Sequence, residues 1–165
     1  MATPTTLPAA FVAGQVLTAA QQNALRGAFR VLQVVSATTA TEVSSSVTSY
    51  VDTGLTATIT PSSTTSKILV FASHLENYKT SASTNNALNL KLLRDATTLV
   101  TTDSMGSTAS AQNLVFSTQI MWLDSPSSTS AVVYKTQFAN ATASASVKVQ
   151  AFSVPSSIIL MEISA

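Results

Sequence analysis

At 165 residues and 17.1 kDa the chain has room for one domain and a short extension, and enough residues to bury a true core. Charged residues make up 9% of it, against about 25% in an average protein, while Ser and Thr together reach roughly 30%, so neutral hydroxyls stand where charges usually do. A net charge of +1 from Lys and Arg scattered between Arg26 and Lys148 leaves no basic stripe for nucleic acid, and the lack of cysteine excludes disulfides and thiolate metal sites.

The opening residues MATPTTLPAAFVAGQVL lack the basic start and unbroken apolar core of a signal peptide, and no run is long enough to span a membrane. Folding in a cytoplasm is expected, with no membrane partner. The two prolines between Ala2 and Ala10 favour an extended arm. Thr18 followed by Gln21 resembles a capping box, and AAQQNALRGAF then predicts a short helix over Ala19 to Phe29. Its stripe of Ala20, Ala24, Leu25, Ala28 and Phe29 needs a surface, because a helix this short is marginal in water. That surface is either another chain or the protein's own body.

From Leu32 onward the pattern is β. Ser, Thr and Val alternate through VVSATTATEVSSSVTSYVDTGLTATITP, a composition that suits a half-buried pleated surface. The expected strands are Leu32–Val43, Thr48–Thr53, Leu55–Thr60, Lys67–Leu75, Ala87–Arg94, Thr97–Thr102, Leu114–Leu123, Val132–Phe138, Ser146–Phe152 and Ser157–Ile163, separated by Gly, Pro, Asp and Ser turns. In Lys67–Leu75 both faces are apolar, with Ile68, Val70 and Ala72 on one and Leu69, Phe71 and Leu75 on the other, which marks a central strand or an interface. Strands of this number and spacing predict an all-β, antiparallel two-sheet sandwich of jelly-roll type over residues 31–165, preceded by an attachment arm and short helix over 1–30.

Little in the sequence points to chemistry. His74 is the single histidine, with Glu76 two residues on, whereas a zinc site takes about four converging ligands. A Ser-His-Asp set could be drawn from His74 and Asp95 or Asp103, but no nucleophile-elbow motif supports it. Glu42, Asp52, Glu76, Asp95, Asp103, Asp124 and Glu162 fall mostly at strand ends and turns, where acids serve local hydrogen bonding. No enzyme activity, metal or cofactor is expected. Trp122 and Tyr134 fall on apolar strand faces and read as core, while Tyr78, Lys79 and Asn85 in the polar loop HLENYKTSASTNN read as surface contacts. Asn140-Ala141-Thr142 is read as a chance match to a glycosylation sequon.

The segment FVAGQVLTAAQQNAL, Phe11 to Leu25, resembles the V-A-G-x-V-L-T-A-A-x-x-N element at the start of many bacteriophage virion appendage proteins. SYVDTGLTATITPSSTTSKILV and the terminal SSIILMEISA are similar to the hydroxyl-rich β-domain that accompanies it in phage tail-fibre and head-decoration proteins, so the likeness covers about a third of the chain. The resemblance implies a trimeric virion structural protein on the particle surface, attached by its leading segment. Phe11, Val12, Val16, Leu17, Leu25 and Phe29 are the residues carried over to self-association or attachment. The implied partners are copies of the chain itself, a major capsid protein or a tail or baseplate protein, and, for a tail location, a host surface glycan.

Overall fold

Period-two alternation decides which side of each strand is buried. In Val51–Ile59 the side chains of Thr53, Leu55, Ala57 and Ile59 are buried while Asp52, Thr56 and Thr58 are exposed, and Ser156–Ile163 buries Ile158 and Leu160 in the same rhythm. The computed structural model describes Gly14, Val16, Thr18, Ala19 and residues 30–80, 83–143 and 145–164. Its strands are β1 (Val31–Thr39), β2 (Val43–Ser45), β3 (Val51–Ile59), β4 (Lys67–Lys79), β5 (Leu88–Arg94), β6 (Thr97–Met105), β7 (Leu114–Asp124), β8 (Val132–Asn140), β9 (Val147–Val149) and β10 (Ser156–Ile163).

The pairing rule is first with last. β1 and β2 pair with β10 and β9, β3 with β8, β4 with β7, and β5 with β6, all antiparallel. Rolling that long double ribbon adds the pairs β10 with β4 and β8 with β5, giving one sheet across β1, β10, β4 and β7, extended by β9 and β2, and a second in the order β3, β8, β5, β6. This is a jelly-roll sandwich, as the strand spacing predicts. Between the sheets lie Leu55, Ile68, Val70, Leu90, Phe138 and Leu160, none more than 1% exposed.

Irregular backbone accounts for the departures from expectation. Thr48–Thr53 and Leu55–Thr60 are not two strands around a turn. Val51 to Thr53 and Leu55 to Ile59 belong to the single strand β3, which absorbs Gly54 (φ +82°) in a bulge between Asp52 and Thr56, while Thr48 to Tyr50 lie before it. The expected Lys67–Leu75 strand runs on to Lys79, past a second irregularity centred on Glu76 (φ 49°). Leu32–Val43 is interrupted after Thr39, and Ser146–Phe152 shortens to β9 because Ala151–Ser153 form a 3₁₀ turn with Gln150, Phe152 and Ser153 at positive φ. Ala19 is helical, but the rest of the expected helix and Phe11, Val12, Leu17, Leu25 and Phe29 lie outside the described residues. Val16 is described, and is 88% exposed.

Candidate functional site

The outward side of the first sheet holds the largest unexplained feature. Val34, Met161, Leu69 and Leu123 are successive cross-strand neighbours over β1, β10, β4 and β7, and the adjoining row is Ser36, Ile159, Phe71 and Met121. On β10 and β4 each of these side chains alternates with a buried neighbour, and on β1 Val34 and Ser36 alternate with the part-buried Val35 and Ala37, so the rows point away from the core. The next row, Thr38, Ser157, Ser73 and Gln119, is polar, and a depression of about 450 Å³ lies where the apolar and polar rows meet. The two-faced reading of Lys67–Leu75 thus fits: Ile68, Val70 and Ala72 are buried, while Phe71 and Leu75 are 36% and 40% exposed on the other side. On β7, an edge strand, Met121, Trp122 and Leu123 are exposed in succession. The exposure of Trp122, at 37%, departs from its expected place in the core: it faces inward beside Val70 but, among the described residues, has no strand beyond it.

The polar side chains that invite a catalytic reading are spent on joining the sheets. His74 on β4 is fully buried, with Nε2 3.1 Å from Thr136 Oγ1, which lies 2.6 Å from Thr53 Oγ1 in the opposite sheet. Its other ring nitrogen faces Ser156 Oγ at 3.1 Å. The Gln150 amide, oriented to donate to the carbonyls of Thr41 and Val149, accepts from both Ser156 Oγ and His74 Nδ1. Burial lowers the His74 pKa to about 4, so the ring is neutral near pH 7. The bulge at Glu76 breaks the strand phase, leaving Glu76 half-exposed and off the face that His74 shares with Asn77 and Lys79. Asp95 instead accepts from Val133 N at 3.0 Å, holding the β5–β6 turn against β8.

Other acids are likewise engaged by donors. Asp124 takes Arg94 Nη1 at 2.9 Å and the buried Tyr134 hydroxyl at 2.7 Å, which again joins the two sheets. Tyr134 is core, as its strand pattern predicts, and burial with the neighbouring carboxylate raises its pKa. Glu162 is fully buried, and among the described residues no cation pairs with it: burial alone would raise its pKa, yet hydrogen bonds from Ser62, Gln33 and Ser66 prevail and hold it at about 2. Asp52 bonds Lys135 and Gln137, and Glu42 bonds Lys148, at the surface. Among the described residues, no three His, Asp or Glu side chains converge as a metal set.

The polar loop divides in three ways. Asn85 is exposed, and Tyr78 is half-buried, with its ring edge-on to Phe152 at 5.9 Å and Lys148 Nζ 6.0 Å from its centroid. Lys79 departs from its expected place at the surface: the phase slip at Glu76 turns it inward, and its ammonium donates to Thr84 O and Thr108 Oγ1, tying two loops together. Phe152, 65% exposed on a left-handed turn, is a surface aromatic that strand periodicity hides, and Pro155 nearby is its one sequence signal. Asn140 of the sequon is buried, donating to Ala145 O and accepting from Ala87 N.

No protein-family model matches this chain, and no curated protein matches it. Among solved structures it is similar to the crystal structure of the infectious bursal disease virus VP2 subviral particle, at a TM-score of 0.36 and 16% identity over 82% of this chain. The chain spans 38% of the length of that viral particle protein. A likeness this distant carries no function across.

Proposed function

We propose that this chain is a non-enzymatic structural protein of a bacteriophage virion, a homotrimer made in the host cytoplasm that decorates or cements the capsid and holds to it by its leading segment. The observation that carries the reading is the free edge of β7, where Met121, Trp122 and Leu123 are 69%, 37% and 56% exposed. Natural edge strands are blunted by charge or proline, because open backbone groups beside apolar side chains recruit further chains. Here neither device is present, and a neighbouring copy covers the edge. A contact of edge to a different surface on the next copy closes into a ring when its rotation allows. The sequence likeness of Phe11 to Leu25 to phage appendage proteins supports the virion setting, with the major capsid protein as counterpart of that segment. No cofactor, membrane or nucleic acid enters this reading.

Light scattering of the full chain should give three times 17.1 kDa, and Trp122→Glu with Leu123→Lys should lower it to one copy. A monomer from the unmodified chain would remove the trimer. Deleting residues 1–30 should abolish incorporation into particles, and undiminished incorporation would count against the leading segment as the grip.

A second reading, a short tail fibre or receptor-binding tip, draws support from Phe152. Its left-handed backbone holds an aromatic ring in solvent against Tyr78, whose own ring lies near Lys148, a stacking surface of the kind a sugar ring uses. Many copies per particle favour decoration. Few copies, with binding of the purified protein to host cells that Phe152→Ser removes, favour the tail.

A further inference from the structure

The depression on the outward side of the first sheet has two unlike flanks, Phe71, Met121 and Ile159 along one and Ser73, Ser157 and Gln119 along the other. We propose that it binds a neutral sugar ring, a pyranoside whose C–H face packs on Phe71 and whose hydroxyls reach the Ser73, Ser157 and Gln119 side chains. The bulge at Glu76 separates this site along β4 from the Tyr78 and Phe152 surface, and the proposal holds whether the chain decorates a capsid or tips a tail.

Three observations carry it. The first is unspent bonding capacity. Ser157, Ser73 and Gln119 are successive neighbours across β10, β4 and β7, yet among the described residues none of their side chains makes a hydrogen bond within the protein. The other two glutamines on strands are engaged, Gln33 with Thr60 O and Glu162, and Gln137 with Asp52. A serine hydroxyl and a glutamine amide each donate and accept. Three such groups in one row complement the edge of a polyhydroxylated ring, whose hydroxyls also do both, while the exposed Phe71 ring beside them suits its apolar face.

The second is charge. No ionisable side chain stands in the outward rows from Val34 to Leu123, from Ser36 to Met121 or from Thr38 to Gln119. Lys67 opens the row beyond Leu69 and donates to Ser125 Oγ at 2.7 Å, and Glu76 sits past Ser73 at the bulge. Phosphate and carboxylate ligands accept without donating and call for a cation, which the depression does not supply. A wholly apolar ligand would strip water from the three polar side chains and put nothing in its place. The third is shape. The depression, about 450 Å³, lies within the roughly 300–1,000 Å³ of small-ligand sites, and the step from Phe71 to Ser73, about 7 Å along the strand, is one that a single pyranose bridges. Because β10 and β7 both pair with β4 here, the backbone groups of β4 are spent in the ladders, so side chains do the recognition and an added peptide strand has no place.

Methyl glycosides of glucose, galactose, mannose and N-acetylglucosamine, titrated into the isotopically labelled full chain, test the site by NMR. At least one should shift the Gln119 side-chain amide and the Met121 methyl together, with a Kd on the order of 10 mM, as a single ring in an open site allows. Read at the Met121 methyl, Phe71→Ala should weaken that binding about tenfold, and the exposed pair Ser73→Ala with Gln119→Ala by about as much. Phe152→Ser should leave it unchanged. Titrations in which none of these glycosides moves either signal would overturn the site. Binding lost in Phe152→Ser but kept in Phe71→Ala would hand the sugar to the Tyr78 and Phe152 surface, so that this proposal fell while that reading stood. Tighter binding of hexanol than of any glycoside, undisturbed by Ser73→Ala with Gln119→Ala, would make the depression an apolar pocket and sink the idea.

Discussion

The two sheets bury similar inner faces but present opposite outer ones. Across the second sheet the outward row Asp52, Gln137, Lys91 and Thr101 is polar throughout, laced by the Asp52–Lys135 ion pair at 3.0 Å and by Lys91 over the Tyr50 ring at 4.2 Å. Across the first, the equivalent positions are Val34, Met161, Leu69 and Leu123. A two-layer sandwich needs one apolar face per sheet, so the second sheet is complete as it stands. The first sheet has the sequence of a middle layer. The difference puts the exposed apolar area on one side of the body and leaves the other to hydration.

The contrast is sharpened most by substitutions that compare inward with outward residues. Phe138→Ala, emptying a fully buried site between the sheets, should cost about 3–5 kcal/mol in urea unfolding. A cost below about 1 kcal/mol would mean that the inner faces are loosely packed and that the comparison is misdrawn. The bridge through His74 comes next. With its folded pKa lowered to about 4 against 6.5 when free, the unfolded chain takes up the proton first. The bridge therefore contributes fully above pH 6.5 and loses about 3 kcal/mol as pH falls to about 4. His74→Gln should flatten that part of the stability profile, and an unchanged slope would remove the histidine as its source. Glu162, lowered to about 2, contributes above its ordinary value of 4.5 and is lost only as pH drops through about 2, so its decline follows that of His74.

Smaller effects are expected outside. Phe71→Ser should cost about 1 kcal/mol, since the residue is 36% exposed on the outward side of its sheet. A cost equal to that of Phe138→Ala would show the outer layer packed as densely as the core. Asp52→Asn on the hydrated sheet should change stability by less than about 1 kcal/mol, less still in high salt. A larger loss there would mean that the second sheet also has a partner.

Much of this architecture is legible in the residues. Alternation in Leu55, Ala57 and Ile59, the Asp95-Ala96 turn and the doubly apolar Lys67–Leu75 segment predict the strands, a hairpin and the unusual outer face. What escapes is phase. A bulge at Glu76 inverts every later side chain of β4, so Lys79 goes inside although its loop reads as polar surface. Glu76, Phe152 and Ser153 adopt left-handed backbone without being Gly or Asn, so nothing in residue type marks where the strands break. His74 was visible as an isolated histidine, but its partners Thr136, Gln150 and Ser156 are distant in sequence and are indistinguishable there from many other hydroxyls and amides. Phe11, Val12, Leu17, Leu25 and Phe29, proposed for attachment on the sequence likeness, fall outside the described residues.

The nesting of strands has a consequence for synthesis. Since β10 lies between β1 and β4, the first sheet cannot be completed until the ribosome has delivered Ile163, and β1 and β4 must until then face an empty lane. A message cut short by even the final strand would yield a chain with no means of closing. Docking of that strand is thus a late step that depends on contacts distant in sequence.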